Sequence, residues 1–268
     1  MSAQRNRGII LKSRREIELM RSAGALVHAA LSRAEELVVP GVTTAELNAA
    51  AEEIIAEAGA TALFKGVTGP QARVPFPAAL CTSVNKEVVH GIPSDRVLKE
   101  GDIISIDCGV RLNGYCGDSA RTIAVGKVSD QVRHLMQVTQ EALDLAVSEI
   151  RCGRMWSEIA GRVQRFVEGH KLSVVREFVG HGIGQEMHEE PKVPNYVDRR
   201  HRQTDFALAE GMTLAIEPMV TLGGPEVVYA GRDRWAVCTR DHKHAAHYEH
   251  TVAVTADGAD VLTDGRLP

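Results

Sequence analysis

The sequence predicts an α+β fold of two similar halves, with helices packed on an antiparallel sheet. Three observations predict it: two Ser/Thr-x-x-Glu helix starts, a unit of long helix, glycine and short helix that occurs twice, and β-rich sequence after each unit. The first start is Ser13 with Glu16, a capping box in which each residue satisfies a backbone N–H of the other. Apolar residues follow at helical spacing (Ile17, Met20, Gly24, Val27, Leu31). After Pro40-Gly41, Thr43 and Glu46 form the second box, opening a helix that ends near Gly59. A helical stretch from about Ser129 to Ile150, then Cys152-Gly153, then a helix from about Ser157 to Glu168, repeats the order. Gly41 and Gly153 are 112 residues apart, as are Glu46 and Glu158, which suggests an ancestral duplication about a pseudo-twofold axis. The expected organisation is a short extension over residues 1–12 and a single catalytic domain over 13–268, with pseudo-repeats at about 13–125 and 126–255.

The 268 residues are 44% hydrophobic and 25% charged, which suits one soluble domain with a sizeable core. A net charge of −4 argues against DNA, or an anionic membrane, as the main partner. The polar start and the absence of any span-length apolar stretch predict neither signal peptide nor transmembrane helix. Five scattered cysteines (Cys81, Cys108, Cys116, Cys152, Cys238) form no zinc-type pair and read as reduced thiols of a cytoplasmic protein.

The strands carry the polar chemistry. Residues 103–110 and 115–125 are β-rich, and Asn113-Gly114 between them is a strong hairpin signal. A two-residue turn there pairs Asp107 with Ala120 and Gly109 with Asp118, so Asp107 and Asp118 share a face as diagonal neighbours within reach of a common ion. Farther along, Gly180-His181-Gly182-Ile183-Gly184 sets a histidine among glycines, and His188 opens His188-Glu189-Glu190-Pro191. Alternation places Leu214 and Ile216 opposite Glu217, and Tyr248, Val252 and Val254 opposite Glu249. Four carboxylates and one imidazole make a hard, oxygen-rich donor set suited to two divalent ions, unlike the thiolate-rich set of a structural zinc site.

Asp107, the stretch around Asp118, GHGIG, HEEP, EGMTLAIEP and YEHT, in that order, resemble type I methionine aminopeptidase over nearly the whole chain. The resemblance implies the pita-bread fold, two pseudo-symmetric halves over a curved antiparallel sheet. It implies that Asp107, Asp118, His181, Glu217 and Glu249 hold two divalent ions (manganese, iron, cobalt or zinc), with Asp118 and Glu249 bridging them. Glu217 is the expected proton acceptor, His90 and His188 the expected substrate-contacting histidines, and Phe76, Cys81, Met187 and Trp235 the expected methionine pocket. The substrate implied is the N-terminal methionine of nascent polypeptides ahead of a small second residue. Transient ribosome contact and a monomeric state are the further expectations.

Two residues depart from the family pattern. Met187 stands where relatives often carry an aromatic residue, and His247 where they commonly carry glutamine. Alternation puts His247 on the face of Glu249, where it serves as a hydrogen-bonding substitute or tunes the site. Two rival readings are a proline-specific peptidase of the same fold and a metal-free binding protein. The first usually carries a large extra N-terminal domain, and the second should lose ligands, whereas all five positions here hold competent residues.

Overall fold

A computed structural model describes residues 8–198 and 204–268; residues 1–7 of the expected N-terminal extension lie outside the described residues. Helix α1 (Arg14–Glu36) and helix α2 (Thr44–Glu57) both start at the capping boxes read from sequence. Helix α3 (Asp130–Ser148) and helix α4 (Trp156–Gly169) form the second pair. Helices α2 and α4 are each 14 residues long and offset by 112 at both ends.

The correspondence extends to hydrogen bonds. Gly41 N–H donates to Leu98 O and Leu98 N–H to Val42 O; Gly153 N–H donates to Leu208 O and Leu208 N–H to Arg154 O. Each short helix is bridged at its N-cap, Thr43 to Val97 and Met155 to Ala207. By these contacts the two helix pairs are built alike.

One antiparallel sheet spans both halves. Its path runs Thr61–Ala62, Ile103–Leu112, Tyr115–Ala124, Glu249–Thr255, Thr213–Ile216, Gly180–Gly182, Glu189–Val193, with Leu80–Val84 and Gly258–Val261 added at the sides. The strands before α3 lie on one side of the seam between Tyr115–Ala124 and Glu249–Thr255, and those after α4 on the other. The Asn113-Gly114 hairpin keeps the predicted register, Asp107 with Ala120 and Gly109 with Asp118, and both turn residues have positive φ (52° and 83°).

Each half has its own core. Val27, Leu31, Leu47 and Ile55 of α1 and α2 pack on Leu80, Ile104 and Ile106. Leu135, Leu143, Trp156 and Val163 of α3 and α4 pack on Leu214, Ile216, Val252 and Val254. Tyr248 joins this second cluster. The apolar residues placed opposite Glu217 and Glu249 by alternation therefore face helices, leaving the carboxylates the other face.

The strand Thr213–Ile216 stops one residue before Glu217, where continuous strand was expected. Pro218 supplies no N–H for a ladder and restricts the backbone before it. Glu217 keeps the side that alternation assigns it.

The halves differ at one cap. Thr43 accepts from Glu46 N–H and completes the box of α2, whereas Met155 gives α4 no side-chain cap although Glu158 stands at the matching position. Met155 already has extended N-cap backbone, φ −75° and ψ 136°. Met155→Thr is expected to raise unfolding stability by about 0.5–1 kcal/mol. A lower urea midpoint would show that the methionine packing outweighs the cap.

Candidate metal centre

The site straddles the seam. Asp107 and Asp118 come from the hairpin of the first half, Glu217 and Glu249 from the strand pair of the second, and His181 from Gly180–Gly182 beside it. Only Glu249–Ala120 and His250–Ser119 pair across the seam as a ladder. Side-chain hydroxyls extend the join. Thr251 Oγ1 accepts from Asp118 N–H (3.0 Å) and donates to Asp118 O (2.8 Å), while Ser119 Oγ donates to Glu249 O (2.6 Å). The backbones of Asp118 and Glu249 are thus each clamped by the opposite strand.

Asp118, His181 and Glu249 each offer a donor atom within 4.8 Å of the others. His181 Nε2 lies 3.8 Å from Asp118 Oδ2 and 3.9 Å from Glu217 Oε1. The Nδ1 of His181 is 2.9 Å from Gly182 O, and a carbonyl can only accept, so Nδ1 carries the proton and Nε2 presents its lone pair to the carboxylates.

The charges in this space demand a counterion. Asp107 Oδ1, Asp118 Oδ1 and Glu249 Oε1 are buried without a hydrogen-bond partner. Burial, with repulsion from neighbouring carboxylates, holds Asp118 and Glu249 well above the ordinary carboxylate range. Burial pushes Asp107 up to about 7 against the pull of His247. For Glu217 burial alone would raise the pKa, but contact with His247, and the charge of that imidazole when protonated, bring it below the ordinary value. Orphaned oxygens, a free imidazole lone pair and acidic density fit divalent cations.

One cavity of about 110 Å³ collects the predicted residues. Asp107, Asp118, His181, Glu217 and Glu249 line its floor together with His90 and His188, and Phe76, Cys81, Met187 and Trp235 line its apolar side. Cys81 is there because it pairs with Asp107 across the sheet. Phe76 and Trp235 meet edge to face at 5.1 Å. The His90 ring stands edge to face with Phe178 at 5.4 Å and Trp235 at 6.2 Å, and that of His188 lies 4.3 Å from His181. Burial lowers His90 to about 4, and burial with the neighbouring His181 lowers His188, so both act as neutral imidazoles near pH 7.

Phe64, Val67 and Phe178 join the site without having been picked out. Phe64 and Val67 arrive through a loop closed by Gly66 N–H to Phe76 O and Phe76 N–H to Val67 O, contacts that no local pattern announces. His247 is 1% exposed, with Nε2 facing Glu217 Oε2 at 3.5 Å. Its backbone N–H donates to Thr122 Oγ1, which returns a bond to His247 O.

Fold and centre together define a metal-dependent hydrolase, and the chain belongs to metallopeptidase family M24, whose model matches residues 18–256. Its relatives include methionine aminopeptidases: that of Clostridium acetobutylicum is 48% identical, covering 95% of this chain and 98% of its own, and methionine aminopeptidase 1 of Bacillus subtilis is 46% identical, covering 95% and 99%. The crystal structure of methionine aminopeptidase from Thermotoga maritima superposes with a TM-score of 0.89 at 40% identity, covering 95% of this chain and 99% of that one. A prolidase from Pyrococcus horikoshii shares the fold at 23% identity and TM-score 0.75, with 64% of its length covered. The architecture is the expected pita-bread fold, and the resemblance to methionine aminopeptidases holds over the chain.

Asp118→Asn and Glu249→Gln are expected to abolish turnover and weaken divalent-ion binding by about tenfold or more while leaving circular dichroism unchanged. The ion-free protein gives the matching sign. Both carboxyls stand well above the ordinary carboxylate range in the folded state, so their contribution to stability is full below about pH 4 and is lost as pH rises through those raised values. Chelated Asp118→Asn should therefore melt above the chelated parent at pH 8, with the gap closing toward pH 5. Near-normal turnover with two bound ions, or a pH-independent gap, would contradict the assignment.

Proposed function

We propose that this chain removes the N-terminal methionine from polypeptides with a small second residue. The observation that carries the proposal is the joining of a buried acidic centre and a one-side-chain apolar pocket in the same cavity. Its volume of about 110 Å³ and its apolar side suit a single side chain. Thioether and thiol walls (Met187, Cys81) and aromatic walls (Phe64, Phe76, Trp235) suit a soft, unbranched, polarisable side chain.

Asp107, Asp118, His181, Glu217 and Glu249 would hold two divalent ions. When bound, such ions supply Lewis-acid polarisation of the scissile carbonyl and a lowered pKa for the attacking water. The chain's own groups do the rest. Glu217, held ionised by its histidine neighbours, accepts the proton of that water and passes it to the departing amine. His188, neutral, donates a hydrogen bond to the carbonyl oxygen as charge develops there. His90, neutral and wedged between Phe178 and Trp235, contacts the peptide-nitrogen side. His247 faces Glu217 at 3.5 Å, in the place of an amide. Manganese, iron, cobalt and zinc all match the donor set.

The polypeptide partner is the methionine end of a nascent chain, met through transient ribosome contact, and the working form is a cytoplasmic monomer. No helix among the described residues is long and apolar enough to cross a membrane.

With the methionine side chain in its pocket, the second side chain must fit beside the polarised carbonyl, and bulk there misplaces the scissile bond. In a peptide panel with saturating metal, Met-Ala-Ser and Met-Ser peptides should be cleaved, Met-Lys and Met-Leu peptides about a hundredfold more slowly, and Leu-Ala much less than Met-Ala. Equal rates for Met-Ala and Leu-Ala would indicate a general aminopeptidase, and preference for Ala-Pro a proline-specific one.

A further inference from the structure

Lys12 is a buried cation that the hydrolytic chemistry does not use. Its side chain is 3% exposed, and Nζ lies 2.5 Å from Glu189 Oε2, whose side chain is 9% exposed. Nζ also donates to Ile10 O at 3.1 Å. A buried ion pair is weak as a source of stability, because desolvation consumes most of the attraction and an apolar pair of the same volume serves as well. What it provides is direction, since one partner fixes the other.

Glu189 faces two ways. While Oε2 meets Lys12, Oε1 accepts from Glu186 N–H at 3.2 Å. Residues 183–188 form the turn between the strands Gly180–Gly182 and Glu189–Val193, and they carry Met187 and His188. Lys12 lies across this turn at Gly184, where an added Cβ would stand 2.5 Å from Lys12 Cε and 2.5 Å from Glu189 Oε1, so a larger residue there would have to push this ion pair aside. The segment before α1 is itself pinned, with Lys12 N–H donating to Gly211 O at 2.7 Å. On its other flank the turn is held by Cys116 N–H to Gly184 O (2.8 Å) and by Gln185 Nε2 to Tyr115 OH (3.0 Å), and Tyr115 donates to Glu16 of α1 (2.8 Å). The first turn of α1, through Glu16, and Lys12 in the segment before the helix therefore grip the turn at two points.

We propose that Lys12 is a positioning residue: through Glu189 it fixes the turn so that His188 faces the acidic centre and Met187 closes the apolar pocket. Turnover and selectivity for methionine then depend on a residue at the end of the expected N-terminal extension. The proposal rests on the roles given above to His188 and Met187.

The test compares the metal-loaded parent with Lys12→Met, Glu189→Gln and the double variant. Lys12→Met leaves the Glu189 charge buried and unpaired. It should lower kcat on Met-Ala-Ser by about tenfold to a hundredfold, shrink the Met-Ala to Leu-Ala preference and speed hydrogen exchange over residues 184–188, with metal content unchanged. Adding Glu189→Gln removes the unpaired charge while the amide oxygen still accepts from Glu186 N–H, and should restore part of kcat and selectivity. If Lys12→Met does not fold, Glu189→Gln alone should show the same changes in weaker form. A role in stability alone would lower Tm and leave kcat, KM and selectivity of the folded protein at parental values, which would overturn the proposal. A parent that cleaves no Met-Ala-Ser would refute the peptidase reading instead, and the exchange comparison would still decide whether Lys12 fixes the turn.

Discussion

Four carboxylates gathered at the seam of two half-sheets, Asp118 and Glu249 of them fully buried, are the constraint on which the rest of this structure depends. Alone they repel one another and resist ionisation, as the raised pKa values of Asp118, Glu249 and Asp107 express. A sheet that converged on such a cluster without a compensating cation would be destabilised by its own centre. Everything around the cluster limits its freedom to escape: helices cover the opposite face, and the flanking strands tether it at the sides.

The seam shows how backbone serves that end. Thr251, Ser119 and Thr122 supply hydroxyls where ladder bonds between the halves run out, fixing the backbones of Asp118, Glu249 and His247. A hydroxyl that both accepts and donates tolerates a splayed pair of strands better than an amide ladder does. The ends of the central strands can thus diverge to make room for ions while the carboxylate-bearing residues stay in place. The Ser105–Thr122 contact at 2.9 Å continues this layer from the bonds that hold His247.

Much of this was legible in the sequence because it rests on local chemistry. Capping boxes fix where α1 and α2 begin, and Asn113-Gly114 fixes a register that puts Asp107 and Asp118 on one face. Period-2 alternation orients Glu217 and Glu249 correctly, even though the strand before Glu217 ends early at Pro218. The family resemblance added the grouping of His90, His181 and His188, which no spacing rule brings together. What stayed hidden depends on long-range closure: Phe64 and Val67 reach the cavity through a loop folded on Phe76, and Phe178 acquires its role only once His90 is placed against it. Lys12 was invisible for the same reason, since an isolated lysine before a helix gives no sign that its partner lies 177 residues away.

Divalent ions that bind at this cluster must displace the protons its carboxyls hold. Calorimetric titration of chelated protein with manganese(II), in buffers of different ionisation enthalpy, counts those protons directly. Near pH 7 proton release on binding is expected, because Asp107 is pushed up to about 7 and Asp118 and Glu249 stand well above the ordinary range, with a smaller release in Asp118→Asn. Binding of manganese with no proton release would contradict it.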